Sequence, residues 1–483
     1  RMGVVDFTGQ GGHQGLGVLA GLGHGVPGQG GGVAVGVRQG VPAALQVAGG
    51  ALLDGLPVGL GFGPANLAIA VALEEDRRVR EGGLRCCFLE KKPAFEWHGG
   101  MLLEDSRMQI SFLKDLATLR NPASRFTFIN YLHQKRRLEP FINIGSFNPS
   151  RVEYNDYLGW AAGHFAERVH YGEEVIAVEA IEEQGEVQRL RVISRYADGR
   201  TRARVTRNLV VGIGGLPSIP EAFRPLRDEP RVLHSSQYRE RIEALGGAGE
   251  QPQRLAVIGA GQSAAEIFSD LTGRFPQAEV SLIMRSQALR PADDSPFVNE
   301  IFDPSYTDLI YQQPHAVRQE LIRAHAHTNY SVVNLDLIER IYQGLYQQSI
   351  TGRSTQRLLA NRQIHGVEAV AEGIRLSLSD SHNGHNEVRE FDGVVLATGY
   401  RRDGHQRLLE GLSHYLAAGE VERSYRLPTQ AGFLPNIYLQ GCCEASHGLS
   451  DTLLSVLSVR SQEVVDALLE QGRRPLTPAS ACA

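Results

Sequence analysis

A chain of 483 residues exceeds what one hydrophobic core fills, so two or three domains are expected. A formal charge of -5 with 21% charged residues implies no basic face, which argues against nucleic acid and an anionic membrane surface as partners. The five cysteines, Cys86, Cys87, Cys442, Cys443 and Cys482, form no C-x-x-C, and no apolar run reaches the roughly 18 residues that span a bilayer. A zinc site, a redox dithiol and a membrane span are therefore not expected, and reduced thiols in a cytoplasmic protein are.

Residues 1–54 differ from the remainder of the chain, because glycine makes up roughly a third of them and no helical or strand period is sustained. A flexible extension is one reading, and translation of part of it from a wrong start or frame is another, motivated by the poor strand Asp54-Gly55-Leu56-Pro57-Val58 before the glycine turn. The stretch Leu56-Pro57-Val58 is a poor central strand because it carries a proline. Gly59-Leu60-Gly61-Phe62-Gly63-Pro64-Ala65-Asn66 then makes a glycine turn, and Leu67 to Leu73 reads as a buried helix. Such a turn lets a pyrophosphate approach the backbone and the helix N-terminus. Asn66 replaces the third glycine of the fingerprint, so a mere tight turn is the alternative. Leu84 to Glu90 is an apolar strand ending in a carboxylate about 30 residues on, which makes Glu90 the candidate ribose acceptor, with a solvated strand end as the alternative.

Met108 to Pro122 places Lys114 in an apolar frame, where the residues alone favour a snorkelling surface lysine over a fixed cation for a substrate carboxylate. Residues 152–170 read as an amphipathic helix with Tyr154, Tyr157, Leu158, Ala161 and Phe165 inward. Val175–Val178, Val187–Ile193 and Arg204–Val211 read as strands, and Gly214 to Pro220 as a connection between domains.

A second and fuller dinucleotide signature comes next. The strand Arg254–Ile258 leads into Gly259-Ala260-Gly261-Gln262-Ser263-Ala264, which opens a helix. The next strand, Glu279–Met284, ends in Arg285, and an arginine there suits the 2′-phosphate of NADPH, with a plain surface strand end as the alternative. Asp293–Phe302 and His325–Ser331 fit neither a long helix nor a clean strand, and His325 and His327 lack a third ligand, so no metal is expected. Val332–Tyr346 reads as a helix and Val388–Leu396 as a strand closed by Ala397-Thr398-Gly399-Tyr400. Ile437–Gly441 reads as a strand, and Ser450 or Asp451 is expected to cap a helix running to about Leu469. Ser446, His447 and Asp451 have no nucleophile elbow, so a hydrolase triad is set aside.

Two dinucleotide folds imply electron transfer between two nucleotides, with FAD in the first site and NADPH in the second. Without a dithiol, a flavin monooxygenase fits better than a disulfide reductase. The expected fold is α/β, with two Rossmann-like domains and a smaller, mostly helical substrate-binding region. The expected partition is an extension over 1–54, an FAD-binding domain over 55–218, an NADPH-binding domain over 219–384 with a substrate segment at about 290–350, the second part of the FAD domain over 385–470, and a flexible tail over 471–483.

From Gly59 to Leu469 the chain resembles the microbial N-hydroxylating flavin monooxygenases, the L-ornithine N5-monooxygenases and L-lysine N6-hydroxylases of siderophore biosynthesis. The resemblance rests on Gly61–Leu67, Met108–Pro122, Phe297–Phe302, Thr328–Ser331, Ala397–Tyr400 and His447–Ser455, and Ile110–Arg120 is more similar to the ornithine enzymes. It implies that L-ornithine and dioxygen are the substrates, that NADPH reduces FAD, and that a C4a-hydroperoxyflavin hydroxylates the terminal amine. Lysine hydroxylation and a catalytically inactive flavin- and NADPH-binding redox protein remain alternatives. By the resemblance, Lys114, Asn299, Glu300, Ile301, Phe302 and Ser455 hold the substrate, and Asn329 contacts both NADP+ and substrate at the catalytic centre. Gly61, Gly63, Pro64, Glu90, Trp97, His98, Gln109, Val175, Thr452, Leu453 and Leu454 are assigned to FAD. Gly259, Ala260, Gly261, Gln262, Ser263, Arg285, Asn329, Tyr330 and Ser331 are assigned to NADPH. Monomer and homo-oligomer are both left open.

Overall fold

The computed structural model describes residues 57–82, 86–245 and 253–471. Both readings of the glycine-rich segment, Leu56, the strand residues Leu84 and Arg85, Cys482 and the expected tail from residue 472 lie outside the described residues.

Two five-stranded parallel sheets organise the chain. The first has the order Asn436–Leu439, Asn208–Val211, Pro57–Leu60, Cys87–Glu90, Val169–Tyr171. The strand expected to be weakest is therefore its centre. Pro57 is tolerated because it stands at the first residue of the strand, where a proline interrupts the ladder least. Val58 and Leu60 are fully buried. Gly59 is needed there, since a Cβ would lie 2.2 Å from the Phe88 ring. The helix Pro64–Glu75 buries every residue from Asn66 to Leu73 because it lies under helix Leu457–Gln471, and an all-round apolar helix has to be covered.

The second sheet has the order Gln356–Leu359, Glu279–Ile283, Arg254–Ile258, Gly393–Leu396, Val232–His234. Its helix, Gln262–Arg274, packs Ala264, Ala265, Ile267, Phe268 and Leu271 inward. Leu216–Pro217 pairs antiparallel with Tyr400–Arg401, so the outgoing and returning connections between the two sheets are bonded to each other.

Several sequence expectations change in detail. Arg204–Val211 is two strands broken at Arg207: Thr201–Thr206 belongs to an antiparallel sheet with Glu173–Glu183 and Glu186–Tyr196, and Asn208–Val211 to the first parallel sheet. Val388–Leu396 likewise divides at Asp392, and Gly393–Leu396 pairs with Arg254–Ile258, which carries the second sheet past residue 385. The helix of residues 152–170 is Arg151–Gly163; Phe165 lies beyond it but is buried with the other four predicted residues. Val332–Val333 is a short strand on Arg290–Pro291, as adjacent β-branched residues favour, and the helix is Leu335–Thr351.

The C-terminal helix starts at Leu457, after a separate turn of helix at Leu449–Thr452. Neither Ser450 nor Asp451 caps it. The Asp451 carboxylate instead accepts from the Cys443 amide at 2.6 Å and from Arg460 at 2.9 Å. A buried carboxylate has to find such partners, and these outcompete the cap. Between the sheets' strands run the helices Pro304–Tyr311, His315–His325 and Leu335–Thr351, the mostly helical segment that was expected.

Candidate active site

The first glycine turn is shaped for a ligand at a helix N-terminus. Gly61 has φ +80°, and a Cβ there would come 2.6 Å from the Gly212 carbonyl. At Gly63 a Cβ would meet nothing within 4 Å, so that residue borders open space. Gly63 is the N-cap of helix Pro64–Glu75 and no side chain caps the helix, which leaves its first amides facing that space. Asn66 is buried and ties the turn together. Its Nδ2 donates to the Leu60 and Gly61 carbonyls at 3.0 and 2.8 Å, and its Oδ1 accepts from Gln440 at 3.0 Å. A glycine would make none of these bonds, which explains the departure from the fingerprint.

Glu90 ends the neighbouring strand with its carboxylate on this turn. It accepts from the Phe62 amide at 2.7 Å and the Lys92 amide at 2.9 Å. Each oxygen keeps a lone pair for a hydroxyl donor. The Trp97 amide donates to Asn155 at 3.0 Å, and the exposed His98, at φ 51°, faces the rings of Trp97 and Tyr400. Beside it, Gly100 permits close contact with the turn Ser235–Gln237, since a Cβ would lie 2.2 Å from the Ser236 carbonyl oxygen. Val175 is half-buried at an irregularity of its strand. Thr452, Leu453 and Leu454 are half-buried and lead to Ser455. Ser455 is 1% exposed and its Oγ has no hydrogen-bond partner. A buried orphan hydroxyl is costly unless something else binds it.

The second turn repeats the first. Gly259 has φ +149°, and Gly261 is the N-cap of a helix without a side-chain cap, next to Ser331. Ala260 and Ser263 are half-buried at the same turn. Arg285 is exposed just past the Glu279–Ile283 strand and has no ion pair among the described residues. Asn329 is half-buried, and its side chain makes no hydrogen bond to the described residues. The Tyr330 hydroxyl donates to Glu444.

One network joins residues predicted for the two nucleotides. The Gln109 Nε2 donates to the Asn334 Oδ1 at 3.1 Å, and the Asn334 amide donates to the Gln262 Oε1 at 2.8 Å. The Gln262 Nε2 donates to Glu266 at 2.9 Å, and Arg151 holds the same carboxylate by two bonds of 2.9 Å.

The predicted substrate residues occupy three converging stretches. The Lys114 Nζ lies 3.5 Å from the Asp303 Oδ1. The turn Glu300–Phe302 packs on the turn Leu449–Thr452. Asn299 is exposed with its Nδ2 on the Asp294 carbonyl at 2.8 Å, and Glu300 is exposed beside it. Phe302 is half-buried, and Ile301 joins Tyr306, Ile310 and Leu449 in an apolar cluster. Lys114 thus meets the substrate segment at Asp303, and the stretch leading to Ser455 meets it at Leu449.

Sequence reading missed Asp303, Asn334, Glu266, Arg151 and Glu444. Asp303-Pro304 carried a local signal, an N-cap type before proline at the first helical position. Glu266 lies four residues after Gln262 on one helix face, but its arginine is 115 residues away. Ser446 and His447 are in contact at 2.8 Å, yet the Asp451 carboxylate is bound elsewhere, so no triad exists.

Two parallel-sheet nucleotide folds, each with an uncapped helix behind a glycine turn and joined by one polar network, define a two-nucleotide oxidoreductase. Residues 56–402 match the model of the L-lysine 6-monooxygenase/L-ornithine 5-monooxygenase family, and the chain belongs to that family. An L-ornithine N(5)-monooxygenase from Burkholderia cepacia is 52% identical over 398 residues, covering 81% of this chain and 89% of that one. The solved ornithine hydroxylase of Pseudomonas aeruginosa is 49% identical with a TM-score of 0.83, covering 87% of this chain and all (100%) of that one. The ornithine N-hydroxylase of Kutzneria sp. 744, solved with reduced FAD, NADP+ and L-ornithine, is 36% identical with a TM-score of 0.80, covering 86% and 99%. The expected α/β fold and the expected membership among N-hydroxylating monooxygenases both hold. Among the described residues, no helix is long and apolar enough to cross a membrane.

Proposed function

We propose that this chain hydroxylates the side-chain amine of L-ornithine, using NADPH and dioxygen, to give N5-hydroxyornithine for hydroxamate siderophore synthesis. The observation that carries the reading is the pair of nucleotide turns in one chain, with Gln109, assigned to FAD, bonded through Asn334 to Gln262 at the second turn. The similarity to an ornithine enzyme at 52% identity supports ornithine over lysine. A cytoplasmic setting is part of the reading, supported by the free thiols of Cys86, Cys87, Cys442 and Cys443.

The residues fit FAD at the first turn. Gly61, Gly63 and Pro64 would face the pyrophosphate, Glu90 the ribose, and Trp97, His98, Gln109, Val175 and Thr452 to Leu454 the remainder. FAD bound there supplies the relay of electrons from NADPH to dioxygen and the activation of oxygen. Gly259, Ala260, Gly261, Gln262 and Ser263 would hold the NADPH pyrophosphate, with Arg285 on the 2′-phosphate and Asn329, Tyr330 and Ser331 towards the nicotinamide end. On this reading the FAD domain spans residues 55–218 and resumes after Leu396, with the NADPH domain and the substrate segment between.

Lys114 takes the α-carboxylate of ornithine, and Asn299 and the buried Ser455 hydroxyl complete the hold. The reacting amine has to lose a proton, although a free alkylammonium has a pKa of about 10.4. Half-buried apolar neighbours such as Phe302, Leu453 and Leu454 disfavour the charged form, so no strong base is needed. Purified protein supplied with FAD, NADPH and either ornithine or lysine tests the reading. Hydroxylamine from ornithine at the higher kcat/KM is expected. Preference for lysine would reassign the substrate, and NADPH oxidation without hydroxylamine from either would refute monooxygenation. The two amino acids differ by one methylene, worth about 1–3 kcal/mol, so the ratio has to be measured.

A further inference from the structure

Asp303 is the N-cap residue of helix Pro304–Tyr311, but its side chain makes no cap hydrogen bond. Aspartate is favoured at that position because its carboxylate accepts the free amides of the first turn. Here the carboxylate is turned away and lies 3.5 Å from the Lys114 ammonium. Stability does not account for that choice. The Asp303 carboxylate is 48% exposed and the separation is 3.5 Å, and an ion pair open to water on one side at that distance contributes little. The pair is also the only ion pair of either residue among the described residues. Asp303 comes directly after the Asn299–Phe302 stretch, whose turn packs on Leu449–Thr452.

We propose that Asp303 is a specificity-determining residue that receives the α-ammonium of the substrate while Lys114 receives the α-carboxylate. This rests on the assignment of ornithine as the substrate. An α-amino acid presents both charges on one carbon. A lone lysine would attract the carboxylate and repel the adjacent ammonium. A lysine and an aspartate side by side complement both charges, and each keeps donors or acceptors to spare, since an ammonium has three N–H groups and a carboxylate about four lone-pair sites. Removing the aspartate leaves the ammonium beside an uncompensated lysine. The pair thus selects the amino-acid head group, while the length of the side chain is read elsewhere.

The test compares ornithine with 5-aminopentanoate, which keeps the terminal amine and the carboxylate but lacks the α-ammonium. Hydroxylamine formation is followed for wild type, Asp303→Asn, Asp303→Glu and Asp303→Ser, and flavin content reports which variants fold. Asp303→Asn is expected to raise the ornithine KM about 10- to 100-fold while leaving the wild-type KM for 5-aminopentanoate nearly in place. Asp303→Glu should recover part of the preference, and Asp303→Ser should repeat the loss if the asparagine variant fails to fold. Equal losses for both substrates would show that Asp303 only positions Lys114. A lower ornithine KM would show that it competes with the substrate carboxylate. An unchanged KM would show no role, and each of these three results overturns the proposal. If the wild type makes no hydroxylamine from ornithine, the functional reading itself fails and the assignment of Asp303 falls with it.

Discussion

Arg151 and Glu266 are joined by two parallel bonds of 2.9 Å between the helix Arg151–Gly163 and the helix behind the second glycine turn. Arg151 also donates to the Met101 carbonyl at 2.9 Å, and Glu266 also holds Gln262. Both side chains are nearly buried, so cutting the pair leaves an uncompensated charge. Glu266→Gln should lower stability by about 3–5 kcal/mol and weaken NADPH binding through Gln262. Thermal unfolding and an NADPH titration check this. A wild-type melting temperature would show that the bridge is dispensable.

Gly61 and Gly63 make a contrasting pair. Gly61→Ala strains a backbone at φ +80° and drives a methyl to 2.6 Å from the Gly212 carbonyl, so the protein should lose stability. Gly63→Ala has room for its methyl, so the fold should survive while FAD binds more weakly, because the methyl enters the space in front of the helix. Melting curves and flavin titrations of the two variants separate these effects. Wild-type flavin affinity in Gly63→Ala would remove the ligand from that space.

Arg285→Ala should raise the KM for NADPH about tenfold or more with little change for NADH, because the lost contact is to a phosphate that only NADPH carries. Steady-state kinetics with both nucleotides decide it. Equal losses would mean that Arg285 does not recognise the 2′-phosphate.

The two glycine turns were legible in the sequence because strand, turn and helix are contiguous, and local order suffices to identify them. Asn66 was legible as an oddity but not as a solution, since its partner Gln440 lies 374 residues away. Pro57 misled for a similar reason. Its cost depends on its place in the strand, which only the register with Asn208 reveals. The role expected of Asp451 as a cap failed because Arg460 and the Cys443 amide, folded back onto it, bind the carboxylate more strongly. Local chemistry therefore found the nucleotide turns, and long-range pairing set the rest of the site.

Acid sensitivity should trace to Glu173. Burial alone would raise its pKa, but Arg204, Tyr196 and Ser194 bind the carboxylate and hold it at about 2, against an ordinary 4.5. A depressed folded-state pKa stabilises the protein fully above the unfolded value, and that stability is lost as pH falls from about 4.5 towards 2. His447 adds to the loss from higher pH, because burial lowers its pKa from 6.5 to about 4 and keeps it neutral in the fold. Glu173→Gln should flatten the pH dependence of unfolding in the lower window and reduce stability at neutral pH. Parallel profiles for variant and wild type would assign the acid loss to other groups.

Mass spectrometry of the ornithine product formed under isotopically heavy dioxygen with NADPH and FAD decides whether the protein is a monooxygenase. N5-hydroxyornithine carrying one heavy oxygen atom, formed in step with NADPH oxidation, is the expected product. NADPH consumed with hydrogen peroxide accumulating and ornithine unchanged would contradict monooxygenation.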